Sequence, residues 1–322
     1  MTFDLTQAIK RRSAYRTFAA DCDGGLGHAY LVYCEDDVVR SVFLTLAAQR
    51  IFCKNACGEC DVCRAIEEKN YLDVKYFDGA DMKVPDVDAL TESASVRPVM
   101  GDYKVYLINN ADKLSPQAQN KLLKTYEEPP KYVVILLGAT NENGLLATIK
   151  SRAKKIHLEE LTPQEVVDYL VSGGADEKSA RTAAAISDGK LQLADDFLTD
   201  PKISDRYDRC FGLMLDLNNS SQIVDWLYTD LFAKENILST FDFLEIILSD
   251  VLKKTSGSTA PFKNVGRDFD LTEIAKKFSP QSASASLYAL NEGRKKLYYN
   301  VGALSVAEGV LFDMLEARYK WQ

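Results

Sequence analysis

Four cysteines crowd into eleven residues, "CKNACGECDVC", as Cys53, Cys57, Cys60 and Cys63. The spacing C-x3-C-x2-C-x2-C contains two overlapping C-x2-C steps that turn three thiolates toward one point. Cys53, at the end of a helix, supplies a fourth ligand for a tetrahedral site. Zinc is the expected metal, because four thiolates with no open position make a closed structural site. An iron–sulfur cluster and free or redox thiols are the alternatives. In the zinc reading the cluster folds a short knuckle and performs no chemistry.

A second group surrounds the first expected strand, "HAYLVY", and the turn that follows it, "CEDDVVRS". In a parallel-sheet protein this turn is where a phosphate loop lies. A working loop needs glycines so that backbone N–H groups approach phosphate, a lysine for the outer phosphates and a hydroxyl for magnesium. The segment has no glycine, and Glu35, Asp36 and Asp37 repel a triphosphate; only Arg40 and Ser41 keep roughly suitable character. The third strand, in "KVYLINNADKLS", ends in Asn109 and Asn110, where an NTPase carries acids to hold magnesium and orient water. Amides cannot act as a general base. If the architecture is that of an NTPase, loss of nucleotide binding and of hydrolysis is the expectation.

The elements that must position these groups follow from patterning. Apolar runs of strand length, "AYLVY", "LDVKYF", "KVYLI", "YVVILLG" and "KKIHL", alternate between residues 29 and 158 with helical patterns at about 37–52, 85–97, 115–128 and 143–150. Such alternation predicts right-handed crossovers and a parallel sheet covered on both faces. In the third of these helices Ser115 is the expected cap and Pro116 the start. Ala118, Leu122, Leu123 and Tyr126 form its apolar face, and Pro129 and Pro130 forbid its continuation. Glu127 and Glu128 then sit in a last turn where the helix dipole disfavours negative charge; a partner's basic group would explain them, and a solvated helix end is the alternative. After Leu161 the strands stop. "TPQEVVDYLV" opens with Thr162 as cap, Pro163 in the first helical position and Glu165 closing a capping box, and starts a small helical domain. Long helical patterns run from about 205 to 322, broken by the polar loop "KKTSGSTAPFKN".

Composition narrows the function. A length of 322 residues predicts two or three domains. The formal charge of -8 argues against a free-standing nucleic-acid binder. "KSRAKK" is a local basic cluster suited to DNA or a partner's phosphates, and "RKKLYYN" reads as a helix with its charged face outside. His28 and His157 lie too far apart in sequence to suggest a site. No apolar run reaches the roughly 18 to 20 residues that span a bilayer, and the N-terminus lacks a signal-peptide stretch, so a cytoplasmic protein is expected. Seven cysteines, an odd number with four clustered, suit a reducing compartment and a metal.

Taken together, "HAYLVY", the four-cysteine knuckle, "VYLINNADKLSPQAQNKLLKTYEEPP", "VILLGATNENGLLATIKSRA" and the break into "LTPQEV" resemble the bacterial clamp-loader subunits of DNA polymerase III. The resemblance covers about residues 28–200 strongly, and the C-terminal third in length and helical character only. Its most specific element is "LLKTYEEPP", with Tyr126 in place of the family's usual leucine. The family's ATPase branch, gamma or tau, has an intact phosphate loop and an acidic strand end; this chain has neither and is similar to the delta prime branch. The resemblance implies an α/β AAA+-type (RecA-like) domain over 1–160 with the knuckle at 53–63. A helical lid domain over 161–203 and an all-α collar over 204–322 complete the implied layout. It implies a non-hydrolysing stator in a five-subunit ring with gamma/tau and delta subunits, acting on the sliding clamp and primer–template DNA, with structural zinc, no tight ATP binding and no membrane.

The family's Ser-Arg-Cys motif, which places an arginine in a neighbour's ATP site, here reads Ser151, Arg152 and Ala153. Thr140 matches the family's sensor position, and Arg40, Ser41, Asn109 and Asn110 mark the degenerate nucleotide site. Glu127 or Glu128 is expected to help position the interface that carries Arg152. The first cysteine gap is shorter than in some relatives. The alternatives are an active gamma/tau-type ATPase, which lacks its lysine and acids here, and a lone zinc-knuckle nucleic-acid adaptor, which the acidic balance opposes. A thiol oxidoreductase is disfavoured by the metal-like clustering.

Overall fold

Five apolar runs form one parallel sheet: β1 (Ala29–Tyr33), β2 (Val74–Asp78), β3 (Lys104–Asn109), β4 (Val133–Ala139) and β5 (Lys154–His157), in the order β2-β3-β4-β1-β5. The computed structural model describes residues 3–127 and 129–321; Glu128 lies outside the described residues. Every residue of β1 and β4 is buried, as expected for central strands covered on both faces. The edge strand β5 has a single buried residue, Ile156, and its lysines form ion pairs instead: Lys154 with Asp21 at 2.6 Å and Lys155 with Glu142 at 2.8 Å. Lysines on an edge also block pairing with a further strand.

Two helices that patterning did not reveal, α1 (Leu5–Lys10) and α2 (Ser13–Gly24), precede β1. Phe18 of α2 packs edge-on against Tyr30, ring centroids 4.9 Å apart, and the Glu159 carboxylate caps the start of α2 by accepting from Ser13 N at 3.0 Å. The crossovers hold α3 (Asp37–Phe52), α4 (Asp61–Glu67), α5 (Val84–Ala94), α6 (Pro116–Glu127) and α7 (Ala147–Lys150). Ser115 caps α6 as read from the sequence, its hydroxyl accepting from Ala118 N at 3.2 Å, and Ala118, Leu122 and Tyr126 are buried. The segment 143–150 is helical only in its last four residues. Asn141 folds a turn by accepting from Asn143 N, and Gly144 lies so close to Asp112 that an added Cβ would stand 2.2 Å from its carbonyl oxygen.

The chain divides into two compact units: residues up to Ser172 together with Lys190–Gln192, and Gly173–Gly189 together with the residues from Leu193 onward. The first holds the sheet and ends in α8 (Pro163–Ser172). Thr162 and Glu165 form the expected capping box, with N–H to side-chain distances of 2.8 and 3.3 Å. Among its described residues the second holds helices and no strand: α9 (Glu177–Ser187), most of α10 (Leu191–Thr199), α11 (Pro201–Asp216), α12 (Ser220–Leu227), α13 (Ile237–Thr255), α14 (Asp268–Ala275), α15 (Pro280–Tyr298) and α16 (Ala303–Lys320). Its polar loop is anchored by buried Asn264, which donates to the buried Asp250 carboxylate at 2.7 Å and accepts from Tyr207 Oη at 2.8 Å.

The sheet's entry edge is fixed by Asp73, which is 0% exposed. Its carboxylate accepts from Val99 N, Met100 N and Gly101 N at 2.7, 2.6 and 3.0 Å, which fixes the chain just before β3. Asp73→Ala strands three amides around a void and is expected to lower unfolding stability of this unit by about 3 kcal/mol or more, read from urea denaturation curves.

Candidate functional site

At the carboxyl ends of β1, β2 and β3 a polar network is built around Arg40, whose side chain is 1% exposed. Its Nε donates to Asn109 Oδ1 at 2.6 Å, Nη1 to the Cys34 carbonyl at 2.6 Å, and Nη2 to Asp37 Oδ1 at 2.5 Å and Asn110 Oδ1 at 2.8 Å. Asn109 Nδ2 donates to Asp37 Oδ1 at 2.8 Å, and Asn110 Nδ2 donates to both oxygens of Asp78 at 3.1 Å. Asn110 has φ +51°, a left-handed conformation that asparagine tolerates better than most residues. Gly138 of β4 gives the cluster room, because a Cβ there would stand 2.7 Å from Asn109 Oδ1 and 3.0 Å from Arg40 Cδ.

The start of α3 is also occupied by the chain itself. Asp36 is its N-cap: Oδ1 accepts from Val39 N at 2.8 Å, and Oδ2 accepts from Gln192 N at 3.2 Å. A carboxylate therefore sits where the dipole and free amides of a helix N-terminus favour an anion. Beside it Glu35 pairs with Lys190 at 2.7 Å.

Of the residues singled out in the sequence, Arg40, Asn109 and Asn110 meet in one cluster. Ser41 lies on the exposed side of α3 and lines a groove of about 260 Å³ with Asp37, Thr45, Lys69, Asp78 and Asn109. Thr140 follows β4 half-buried and takes no part in the Arg40 network. Asp37 and Asp78 complete the cluster and were not expected as its members; only folding brings the ends of three strands together. His157 stacks on Tyr33, centroids 5.1 Å apart, and His28 lines a different recess.

That recess, of about 560 Å³, is lined by His28, Tyr126, Glu127 and Arg152. Arg152 Nη2 lies 3.0 Å from Glu127 Oε1, and Nη1 donates to the Thr148 carbonyl at 3.1 Å and to Ser151 Oγ at 3.4 Å. Ser151 Oγ donates in turn to the same carbonyl at 3.1 Å. The Tyr126 hydroxyl is buried without a hydrogen-bond partner among the described residues, and burial raises its pKa.

The four cysteines converge between α3 and α4, with all four sulfurs within 4.8 Å of one another. The Cys53–Cys57 and Cys57–Cys63 sulfur separations are 3.8 and 4.0 Å. Tetrahedral coordination with Zn–S of about 2.3 Å places sulfurs about 3.8 Å apart. The short first gap closes because Ala56 adopts φ +43°, and Lys10 Nζ holds its carbonyl at 2.6 Å. Hydrogen bonds from the backbone N–H groups of Cys60 and Glu59 lower the Cys57 pKa to about 6, and the Cys57 backbone N–H lowers that of Cys53. Burial pushes Cys63 up to about 12. The donor set fits a metal ion such as zinc, whose charge would hold all four as thiolates.

The geometry defines a parallel-sheet α/β protein whose first crossover carries a four-cysteine metal-type knuckle. A family model described as DNA polymerase III, delta subunit, matches residues 12–162. The chain is 30% identical over 251 residues to DNA polymerase III subunit delta' of Haemophilus influenzae, covering 74% of this chain and 75% of that protein. It is 28% identical over 310 residues to subunit tau/gamma of the same organism, covering 85% and 44%. It is also 36% identical over 153 residues to subunit tau of Escherichia coli, covering 46% and 24%. This chain belongs to the clamp-loader family of DNA polymerase III subunits. It spans less than half the length of the tau-type relatives. Among the described residues, no helix is long and apolar enough to cross a membrane.

Two outcomes test the geometry. Protein purified from zinc-supplemented medium should release about one metal per chain on thiol modification, and Cys57→Ser should bind it far more weakly, with faster hydrogen exchange across 53–67. Tyr126→Phe should raise the stability of the first unit by about 1 kcal/mol, because it removes a buried hydroxyl that lacks a partner.

Proposed function

We propose that this chain is a delta prime-type subunit, a non-hydrolysing member of the clamp loader that completes its ring. The observation that carries the reading is the Arg40 cluster with the Asp36 cap. The guanidinium and the amide of α3 that would meet phosphate are bonded to the chain's own oxygens, and a carboxylate takes the anion's place. A triphosphate entering there would have to displace Asp36 and meet Glu35 and Asp37 as well. The Asn109 and Asn110 amides serve Arg40 and Asp78, and neither can activate water. The sheet unit is read as an AAA+-type domain, residues 161–203 as its lid and 204–322 as the collar that joins the other subunits. Zinc in the knuckle is structural.

In this reading Arg152 acts in trans on the ATP bound by a neighbouring gamma/tau-type subunit, where a guanidinium neutralises charge developing on the terminal phosphate. The other partners are a delta-type subunit and, through the assembled complex, the sliding clamp and primer–template DNA.

Calorimetry with ATP and magnesium should show no binding by the isolated chain, and mixing with the ATPase and delta subunits should give a stable complex. Tight magnesium-dependent binding with turnover would instead identify an active gamma/tau-type ATPase. Arg152→Ala should leave the fold and assembly intact and lower the DNA-stimulated ATPase rate of the reconstituted complex several-fold; normal turnover would refute the trans-acting role.

A further inference from the structure

The end of α6 and the residues after α7 are joined by the ion pair between Glu127 and Arg152. It is half open to solvent, with side-chain exposures of 51% and 39%. Glu127 stands in the last turn of α6, where the unpaired carbonyls make a negative charge unfavourable unless a cation lies beside it. Arg152 is that cation, drawn back against the protein by Glu127 on one nitrogen and by Thr148 and Ser151 on another.

A guanidinium in this pose is poorly suited to stabilise charge on a phosphate. Its charge is offset in part by the carboxylate 3.0 Å away, and both terminal nitrogens already have acceptors. The recess in front of it is wide, so little steric obstacle holds the side chain back. What holds it is an exposed ion pair, worth about five-fold in equilibrium at most, together with two exposed hydrogen bonds from Nη1 that do not depend on Glu127. An anion with two or more charges and several acceptor oxygens competes successfully against a single carboxylate.

We propose that Glu127 is a positioning residue that keeps Arg152 retracted and yields it only to a terminal phosphate presented by a neighbouring subunit. The inference rests on the trans-acting role of Arg152 given above. It predicts a division between kinetic constants. Removing the charge of Glu127 frees the guanidinium before nucleotide arrives, so less ATP is needed to engage it, whereas at saturating ATP the guanidinium is engaged with or without Glu127.

The test is the ATP dependence of DNA-stimulated turnover in the reconstituted complex, with wild type, Glu127→Gln, Arg152→Ala and the double variant. Expected for Glu127→Gln is a KM about two- to five-fold lower with kcat unchanged, and for the double variant the behaviour of Arg152→Ala alone. A matching thermal melt shows that Glu127→Gln leaves the fold intact. If Arg152→Ala lowers turnover while Glu127→Gln raises KM, lowers kcat or changes neither, the retraction is wrong and the role of Arg152 stands. If Arg152→Ala changes nothing, the trans-acting role itself falls, and the inference with it.

Discussion

A buried guanidinium must be surrounded by acceptors, and that requirement organises the carboxyl end of this sheet. Arg40 draws the Cys34 carbonyl from the turn after β1, Asp37 from α3, and Asn109 and Asn110 from the end of β3. Asn110 passes the network on to Asp78 at the end of β2. Three strand ends are thereby tied at the edge where open α/β sheets receive ligands. The donors of Arg40 are thereby committed to acceptors of the chain itself.

The two conspicuous motifs share a logic of local closure. In the knuckle, backbone N–H groups at Cys57, Glu59 and Cys60 prepare the outer sulfurs for deprotonation, while buried Cys63 depends on a cation for its charge. At the end of α6, a carboxylate on the unfavourable side of a helix dipole is made tolerable by Arg152. At Glu127 a charge that the backbone alone does not favour is held by a partner distant in sequence, and at Cys63 a bound cation would hold it.

What could be read from the sequence follows how local each feature is. The central strands β1 and β4 were legible because each is a continuous apolar run, and the capping residues Ser115, Thr162 and Glu165 because their partners lie three residues away. The cysteine cluster was legible for the same reason. Helices α1 and α2 were missed because their apolar faces are short; Phe18 needs Tyr30 and Phe43 to give it meaning. The helix expected from 143 failed at Gly144, whose close approach to Asp112 has no signature in its neighbours. Asp73 and Asp78 looked like ordinary acids, since nothing in the sequence places them beside three loop amides and Asn110; Asp37 was singled out only for its charge, although three residues along the expected helix already put it beside Arg40.

The sheet unit is not one continuous length of chain. Residues 190–192 return to it after the chain has left at Ser172, and there Lys190 meets Glu35 and the Gln192 amide meets Asp36. The two acidic residues that fill the turn after β1 therefore depend on a strip of sequence more than 150 residues away. A gene fragment ending at Ser172 would encode every strand and the whole knuckle, yet would leave that turn with unbalanced acids. Recombination at that apparent boundary would transplant the sheet without the piece that neutralises its most acidic corner.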